Sequence, residues 1–129
     1  MKNIFKTGDQ KHYRVRVTEN DCAAFHGELL HPVYATYALA RDFEWSSRLF
    51  FLEMKEDDEE GVGTMLSIEH KSMARQGDEV LITATIESIV ENELICAIEA
   101  TCNNQLVAVG KTGQKMLKKE KLHRLMNRQ

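Results

Sequence analysis

Three side chains suited to acid and base chemistry lie at defined intervals in the middle of the sequence. Thr36 and Glu44 are eight positions apart within the stretch ATYALARDFEW, and His70 ends the stretch IEH. A carboxylate can act as a general base or as a nucleophile, and an imidazole can exchange a proton near neutral pH. These three residues are the first candidates for a catalytic site.

Glu44 has two explanations that the sequence leaves open. On a helical wheel its side chain falls within about 40 degrees of an apolar group of residues, where ionisation is disfavoured and its pKa would rise. That group is Val33, Tyr37, Ala40 and Phe51. Arg41 lies three residues before Glu44 and Arg48 four residues after it, so an ion pair within the helix would also account for the acid.

Thr36 and His70 also have purely structural explanations. A threonine in the first turn of a helix often caps the helix or bonds to its own backbone. Strand alternation turns His70 toward the helix, where a lone histidine is often a hydrogen-bonded core residue. The segment GVGT, which contains Gly63 and Thr64, lacks the setting of a phosphate loop and instead indicates a bend or a close approach of a ligand to backbone.

Hydrophobic periodicity predicts the elements that must position these side chains. Residues 33–52 are predicted to form one long helix, with Pro32 at its first turn and with apolar residues on so many sides that the helix belongs inside the fold. Runs of β-branched and apolar residues separated by short turn signals predict antiparallel strands. Those strands are residues 12–18, 61–75, 78–91, 93–102 and 105–117. Residues 19–31 are predicted to form a loop or a short helical turn.

One long helix followed by an antiparallel meander predicts an α+β hot-dog fold, a curved antiparallel sheet wrapped around one central helix. Helix and sheet must cover each other because no other element is available to bury their apolar surfaces. The chain is predicted to be a single domain over residues 1–129, with a basic helical tail at about residues 118–129. Open edge strands predict a homodimer and leave higher assembly open.

The joint spacing of the candidate residues resembles that of the fluoroacetyl-CoA thioesterase-like family of hot-dog proteins. In that family a threonine, a glutamate eight residues later on the central helix and a histidine on the next strand form the catalytic set, with a glycine seven residues before the histidine. The residues that match each of these spacings are Thr36, Glu44, Gly63 and His70. The resemblance runs from about Pro32 to Leu117 and departs over residues 22–31, so a preference for a fluorinated acyl group is not carried over.

The resemblance implies a hydrolase that cleaves a short or small acyl-CoA to the free acid and CoA. Thr36, Glu44 and His70 would be catalytic, with Glu44 either a base toward water or a nucleophile on the thioester carbonyl. Gly63 and Thr64 would bind substrate, and a backbone N–H near Gly63 would be a candidate oxyanion donor. Neither a metal nor a cofactor is implied, since CoA enters as part of the substrate. Two alternatives stay open: a hot-dog module that binds acyl-CoA or a small acid without cleaving it, and a hydratase or dehydratase acting on the acyl chain.

Composition and charge argue against several other classes. At 129 residues, 43% hydrophobic and 29% charged, the chain has the make-up of an ordinary folded domain. Its formal net charge of -3 offers no general attraction to nucleic acid. An acidic run at residues 53–61 is predicted to be a solvated loop or helix face, and the basic residues from Lys115 to Arg128 are candidates for contacts with CoA phosphates.

The cysteines and the first residues of the sequence predict the cellular compartment of the protein. Cys22, Cys96 and Cys102 form neither a CxxC pair nor a metal-binding pattern with histidine, and their odd number argues against a disulfide framework. A reducing cytoplasm is therefore expected. The first residues lack the apolar segment of a signal peptide and the apolar runs are too short to cross a bilayer, so we expect neither export nor membrane insertion.

Overall fold

One long helix packs against a five-stranded antiparallel sheet. The computed structural model describes residues 1–127. The strands of the sheet are β1 (Gln10–Arg16), β4 (Glu59–His70), β5 (Glu79–Val90), β6 (Glu93–Cys102) and β7 (Gln105–Lys118). The other elements are a single 3-10 turn (Glu19–Asp21), a hairpin of β2 (Cys22–Phe25) and β3 (Glu28–Tyr34), the helix α1 (Thr36–Met54) and the short helix α2 (Lys119–Met126). The strand order is β1-β5-β6-β7-β4, which puts β1 and β4 at the two edges.

The core lies between one side of α1 and one face of the sheet. Along β5 and β6 the buried residues alternate with more exposed ones, as expected for strands with one face on a core. Helix residues at intervals of three and four point into the same core. The largest contributors are Leu39, Phe43, Phe50, Phe51 and Met54 from the helix and Ile82, Ile86, Leu94 and Ile98 from the sheet. The predicted hot-dog arrangement is confirmed.

The prediction that α1 is enclosed on all sides is wrong for the single chain. Four of its residues, which we call the open face of α1, are exposed: Thr36, Tyr37, Glu44 and Trp45. The physical reason is that a single-layered sheet covers only one side of a helix. The expected burial of Glu44 among apolar neighbours is therefore not found within one chain.

The segment before the helix also differs from its prediction. A loop is predicted over residues 19–31 and a helix just after Pro32, but the chain forms the β2–β3 hairpin and α1 begins only at Thr36. The hairpin turns at His26 and Gly27, whose φ angles of 54° and 80° suit a tight two-residue turn. With four residues and two register irregularities, β2 is too short and uneven to show a period in the sequence.

The charged segments are only partly solvated. The acidic run over residues 53–61 includes the start of β4, where Glu59 is buried and binds the amino group of Met1 at 2.8 Å. Burial alone would raise the pKa of Glu59, but the hydrogen bonds from that amino group and from the Glu56 N–H hold it below its ordinary value. In the basic tail, α2 is largely exposed, and residues 128 and 129 of the predicted tail lie outside the described residues.

Among the remaining strand predictions, residues 93–102 coincide with β6, and the other four predicted strands differ from the structure at their ends. The first strand, predicted over residues 12–18, spans Gln10–Arg16, and the strand predicted over residues 61–75 ends at His70. None of the helices within residues 1–127 has the length and apolar character needed to cross a membrane.

Candidate active site

Thr36 at the start of α1 and His70 at the end of β4 are joined by a hydrogen bond. Thr36 Oγ1 lies 3.1 Å from His70 Nδ1, across 34 positions of sequence. Ala35 occupies the cap position of the helix, so the Thr36 hydroxyl is not engaged in capping. The prediction that His70 points toward the helix is confirmed.

In the described residues, the second imidazole nitrogen of His70 lies unpartnered beside a pocket. Nε2 is buried and has no hydrogen-bond partner among residues 1–127. When Thr36 donates its hydroxyl proton to Nδ1, Nε2 carries the imidazole hydrogen and becomes a donor. A pocket of about 350 Å³, the His70 pocket, adjoins this pair. Its apolar lining comes from Ala23, Val33, Ala35 and Met73.

Glu44 lies two turns further along α1, directly against Gly63 of β4. A Cβ atom built on Gly63 would overlap Glu44 Oε1, so the carboxylate occupies space that any larger residue would fill. The two residues line a second, smaller pocket of about 190 Å³, the Glu44 pocket. Its remaining lining residues are Arg41, Trp45, Arg48 and Gln114.

Gln114 fixes the turn of helix that carries Glu44. Its side chain is buried, and Nε2 donates to the backbone carbonyl of Glu44 at 3.2 Å and to Ser47 Oγ at 2.7 Å. Ser47 Oγ in turn donates to the same Glu44 carbonyl at 3.0 Å. Because Gln114 is the register partner of Gly63, this contact holds Glu44 opposite Gly63.

The ion pair that would explain Glu44 without catalysis is not formed. Arg48 binds Glu60 at 2.6 Å and the Gly61 carbonyl at 3.3 Å. Arg41 binds two aspartates instead. Among residues 1–127, the carboxylate of Glu44 has neither predicted arginine as its partner.

A network of buried Tyr34, Asp42 and Asp21, joined by the exposed Arg41, anchors the start of α1. Asp42 accepts hydrogen bonds from the Tyr34 hydroxyl and from Arg41 Nε and Nη2, the latter two at 3.0 Å. Arg41 Nη2 also binds Asp21 at 2.7 Å, and Asp21 accepts two bonds from Thr18 at 2.9 Å. Burial, followed by the hydrogen bond to Asp42, raises the pKa of Tyr34 far above its ordinary value. The pKa of Asp21 would rise with burial, but the bonds from Arg41 and Thr18 keep it below its ordinary value.

Tyr37 fastens the β2–β3 hairpin to the open face of α1. Its hydroxyl accepts from the Ala24 N–H at 3.1 Å and lies 3.0 Å from the carbonyl oxygens of Cys22 and Ala24. Its ring packs edge-on against Phe25, with centroids 5.6 Å apart. The hairpin is thereby held beside the His70 pocket.

Thr64 is placed differently from Gly63. A bulge interrupts the β4–β7 register between Gly63 and Met65, so Thr64 is the unpaired residue. Its Oγ1 lies where a side chain on Gly113 would point. The residues on either side of Gly113 in β7 face the helix, so Gly113 itself is directed to the other face of the sheet. The Thr64 side chain therefore lies on the face away from the helix. Any role of Thr64 in the site therefore falls to its backbone.

The structure joins the predicted residues in two pairs rather than in one set. Thr36 contacts His70, and Glu44 contacts Gly63. The separation of eight positions between Thr36 and Glu44 corresponds to about 12 Å along a helix, too far for direct contact between their side chains. Both pairs border the open face of α1.

Sequence reasoning missed Gln114, Asp42 and Tyr37. A signal existed for Gln114, because the alternation of β7 puts it on the core face with Met116, where an uncharged polar residue needs a partner. No comparable signal existed for Asp42 or Tyr37, whose partners lie in the hairpin that the sequence did not predict.

The cysteines do not enter either pair. Cys22, Cys96 and Cys102 are all free, and burial, followed by the charge of Glu87, raises the pKa of Cys96 to about 12. Within residues 1–127 there is no group of three or more His, Cys, Asp or Glu side chains that could hold a metal ion.

Comparisons with known proteins assign the chain to a family. The model of the family described as fluoroacetyl-CoA-specific thioesterase matches residues 17–120. The fold resembles that of the Thermus thermophilus hypothetical protein TTHA0967, a thioesterase superfamily member, with 29% identity, a TM-score of 0.90 and coverage of 96% of this chain and 92% of that one. A point mutant of the fluoroacetyl-CoA-specific thioesterase FlK matches at 18% identity and a TM-score of 0.88, with 97% of each chain covered.

A third solved structure supports the same fold. A hot-dog-like protein from Thermanaerovibrio acidaminovorans has 17% identity and a TM-score of 0.87, with 95% of this chain and 90% of that one covered. The search of curated proteins found no match. Since the family model covers most of the sequence, the chain belongs to the fluoroacetyl-CoA-specific thioesterase family and is a thioester hydrolase.

Proposed function

We propose that this hydrolase cleaves a short or small acyl-CoA to the free acid and CoA, with Thr36, Glu44 and His70 as its catalytic residues. The observation that carries the proposal is the Thr36–His70 hydrogen bond, which holds a buried imidazole nitrogen, unpartnered among residues 1–127, beside a pocket with both apolar and polar lining. Point mutants of FlK have been solved with fluoroacetate and CoA and with acetyl-CoA. Those ligands support a CoA thioester as the substrate class here.

Each residue has a separate part in the reaction. Glu44 activates water as a base or attacks the thioester carbonyl itself. His70 exchanges a proton with the water or the leaving thiolate, and Thr36 orients its ring. The backbone of Gly63 and of the unpaired Thr64 is the candidate donor to the oxyanion and binds the substrate. Neither a metal nor a cofactor is needed for this chemistry.

We further propose that the active enzyme is a homodimer in the cytoplasm. The two residue pairs lie about 12 Å apart along one exposed helix face, and β4 is an edge strand with an open side. A two-fold axis at this face would bring Glu44 of one copy opposite Thr36 and His70 of the other. Exposed apolar side chains lie on this face or beside it: Tyr37, Trp45, Leu66 and Met73. The free cysteines fit a reducing compartment.

The test is release of CoA from a panel of short, branched, aromatic and long-chain acyl-CoAs, corrected for the three thiols of the protein. Glu44→Gln is expected to lower kcat by about a hundredfold or more, because the amide cannot accept the proton of water or attack the carbonyl. Glu53→Gln is the matched control, since that exposed acid on the same helix pairs with Lys11 at the surface.

The outcomes separate the alternatives. Saturable release that collapses in both Glu44→Gln and His70→Ala supports the assignment, whereas a Glu44→Gln variant with full activity removes Glu44 from it. Tight binding of an acyl-CoA without thiol release would indicate a binding module. A changed acyl chain on an intact thioester, seen by mass spectrometry, would indicate a hydratase or dehydratase.

A further inference from the structure

The side-chain amide of Gln114 is engaged at one end only. Its NH2 group must face the helix, because the backbone carbonyl of Glu44 can only accept a hydrogen bond. The amide oxygen Oε1 consequently points away from that carbonyl. This oxygen is buried, and no donor contacts it within the described part of the chain. A buried acceptor without a donor is unfavourable, which indicates that a donor arrives when the site is in use.

Gln114 and the Glu44 carboxylate stand side by side on the same face of the sheet. Gln114 is the direct register partner of Gly63, and side chains of such partners project to one face with Cβ atoms about 4.5–5.5 Å apart. Glu44 Oε1 takes the position where the Cβ of Gly63 would be. Both side chains therefore line the Glu44 pocket.

The amide oxygen of Gln114 and the carboxylate of Glu44 are neighbouring hydrogen-bond acceptors, and they favour a small molecule that can donate two hydrogen bonds. A carboxylate oxygen and an amide oxygen repel any anionic group placed between them, whereas one water molecule has a hydrogen for each. A Glu44 that attacked the carbonyl directly would leave the amide oxygen unused. We propose, building on the function proposed above, that Gln114 Oε1 and Glu44 together hold the attacking water, and that Glu44 is its general base.

Atoms and charge balance in this hydrolysis. The water donates one O–H to Gln114 Oε1 and the other to Glu44, which leaves a lone pair of the water oxygen directed at the thioester carbonyl. The water oxygen bonds to the carbonyl carbon as Glu44 takes the proton, and the π electron pair of the carbonyl moves onto its oxygen until the carbonyl re-forms. The C–S bond then breaks, its electron pair leaves on sulfur, and the proton passes from Glu44 to the thiolate. The products are the free acid and CoA, and Glu44 returns to its ionised form.

Two variants separate this role from the structural role of Gln114. Gln114→Met keeps the length of the side chain but removes both Oε1 and the NH2 group, while Ser47→Ala removes a partner of the NH2 group and the Ser47 bond to the Glu44 carbonyl but keeps Oε1. We expect Gln114→Met to lower kcat about ten- to a hundredfold with KM changed less than about threefold, and Ser47→Ala to change kcat less than about threefold. Added hydroxylamine should give a larger ratio of acyl hydroxamate to acid in Gln114→Met alone, because the water is no longer held.

Specific results would overturn the inference. Wild-type kcat in Gln114→Met, or equal losses in both variants with an unchanged hydroxamate ratio, would leave Gln114 a structural residue while the proposed hydrolase stands. Absence of CoA release by the unaltered protein would instead remove the proposed function. If Gln114→Met does not fold, a single turnover of the unaltered protein in ¹⁸O-water tests the role of Glu44, because an acyl–Glu44 anhydride that water opens at the glutamyl carbonyl leaves label in Glu44. Label in the acid and none in the Glu44 peptide is expected, and label in that peptide overturns the proposal.

Discussion

The Glu44 carboxylate occupies the space that a side chain on Gly63 would need, so activity should be sensitive to substitution of Gly63. A methyl group on Gly63 would overlap the Glu44 carboxylate, which is the free end of a flexible side chain. We expect Gly63→Ala to fold, because Glu44 can swing toward solvent, but to lose at least about tenfold in kcat, because the carboxylate is displaced by more than an ångström. Steady-state CoA release and the melting temperature should be measured together.

The melting temperature is the control for that experiment. A loss of activity with a nearly unchanged melting temperature would show that the carboxylate position matters to catalysis. Full activity in Gly63→Ala would mean that the position of Glu44 seen here is not the reactive one.

At the scale of the elements, Tyr34 ties the end of β3 to α1 through Asp42, and the tie depends on pH. Burial and the bond to Asp42 raise the pKa of Tyr34, so the folded chain keeps this proton where the unfolded chain loses it, near pH 10. The unfolded state then binds fewer protons, and the free energy of unfolding falls as pH rises above about 10. Tyr34→Phe is expected to cost about 1–3 kcal/mol at pH 7.

Urea unfolding at about pH 7, 9 and 10.5 checks this expectation. The difference in free energy of unfolding between the unaltered protein and Tyr34→Phe should shrink above about pH 10, because the variant has no hydroxyl to titrate at this position. A difference that stays constant across the three pH values would contradict the assignment.

The Tyr37 hydroxyl attaches the β2 strand of the hairpin to α1. The Tyr37 hydroxyl accepts from the Ala24 N–H, so Tyr37→Phe leaves that amide without its partner. We expect faster hydrogen exchange at Ala24 and its hairpin neighbours and a loss of about 1 kcal/mol in stability. Exchange in the core strand β6 should change only in proportion to global stability. Unaltered exchange at Ala24 would show that Tyr37 does not hold the hairpin.

At the scale of the whole molecule, the proposed dimer accounts for the open face of α1. We expect the protein to elute at twice its chain mass of 14.8 kDa. Leu66→Lys puts a charge on the exposed surface of edge strand β4 and should yield a monomer with reduced CoA release, since the two residue pairs would no longer meet. Val90→Lys, an exposed apolar residue at the end of β5, is the matched control and should stay dimeric. A fully active monomer would contradict the shared site.

Much of this architecture could be predicted because it depends on local pattern. β5 and β6 alternate buried residues with more exposed ones, and α1 repeats apolar residues at helical spacing, so periodicity located these elements within a few residues of their ends. The hairpin could not be predicted in this way. Its short β2 strand forms through the turn at His26 and Gly27 and through contacts with Tyr37, which lies beyond it in sequence.

The sequence by itself determined the residue types and their spacing: Thr36, Glu44, Gly63 and His70 on one helix and the next strand. It could not determine which of them meet, because contact depends on how β4 and β7 pair and on where along the strands α1 rests. The tertiary structure decided that Thr36 contacts His70, that Glu44 fills the space beside Gly63, and that Gln114, far away in sequence, faces the same pocket. The physical reason is that local periodicity specifies an element and its faces, whereas contacts between distant residues are set only when those faces pack together.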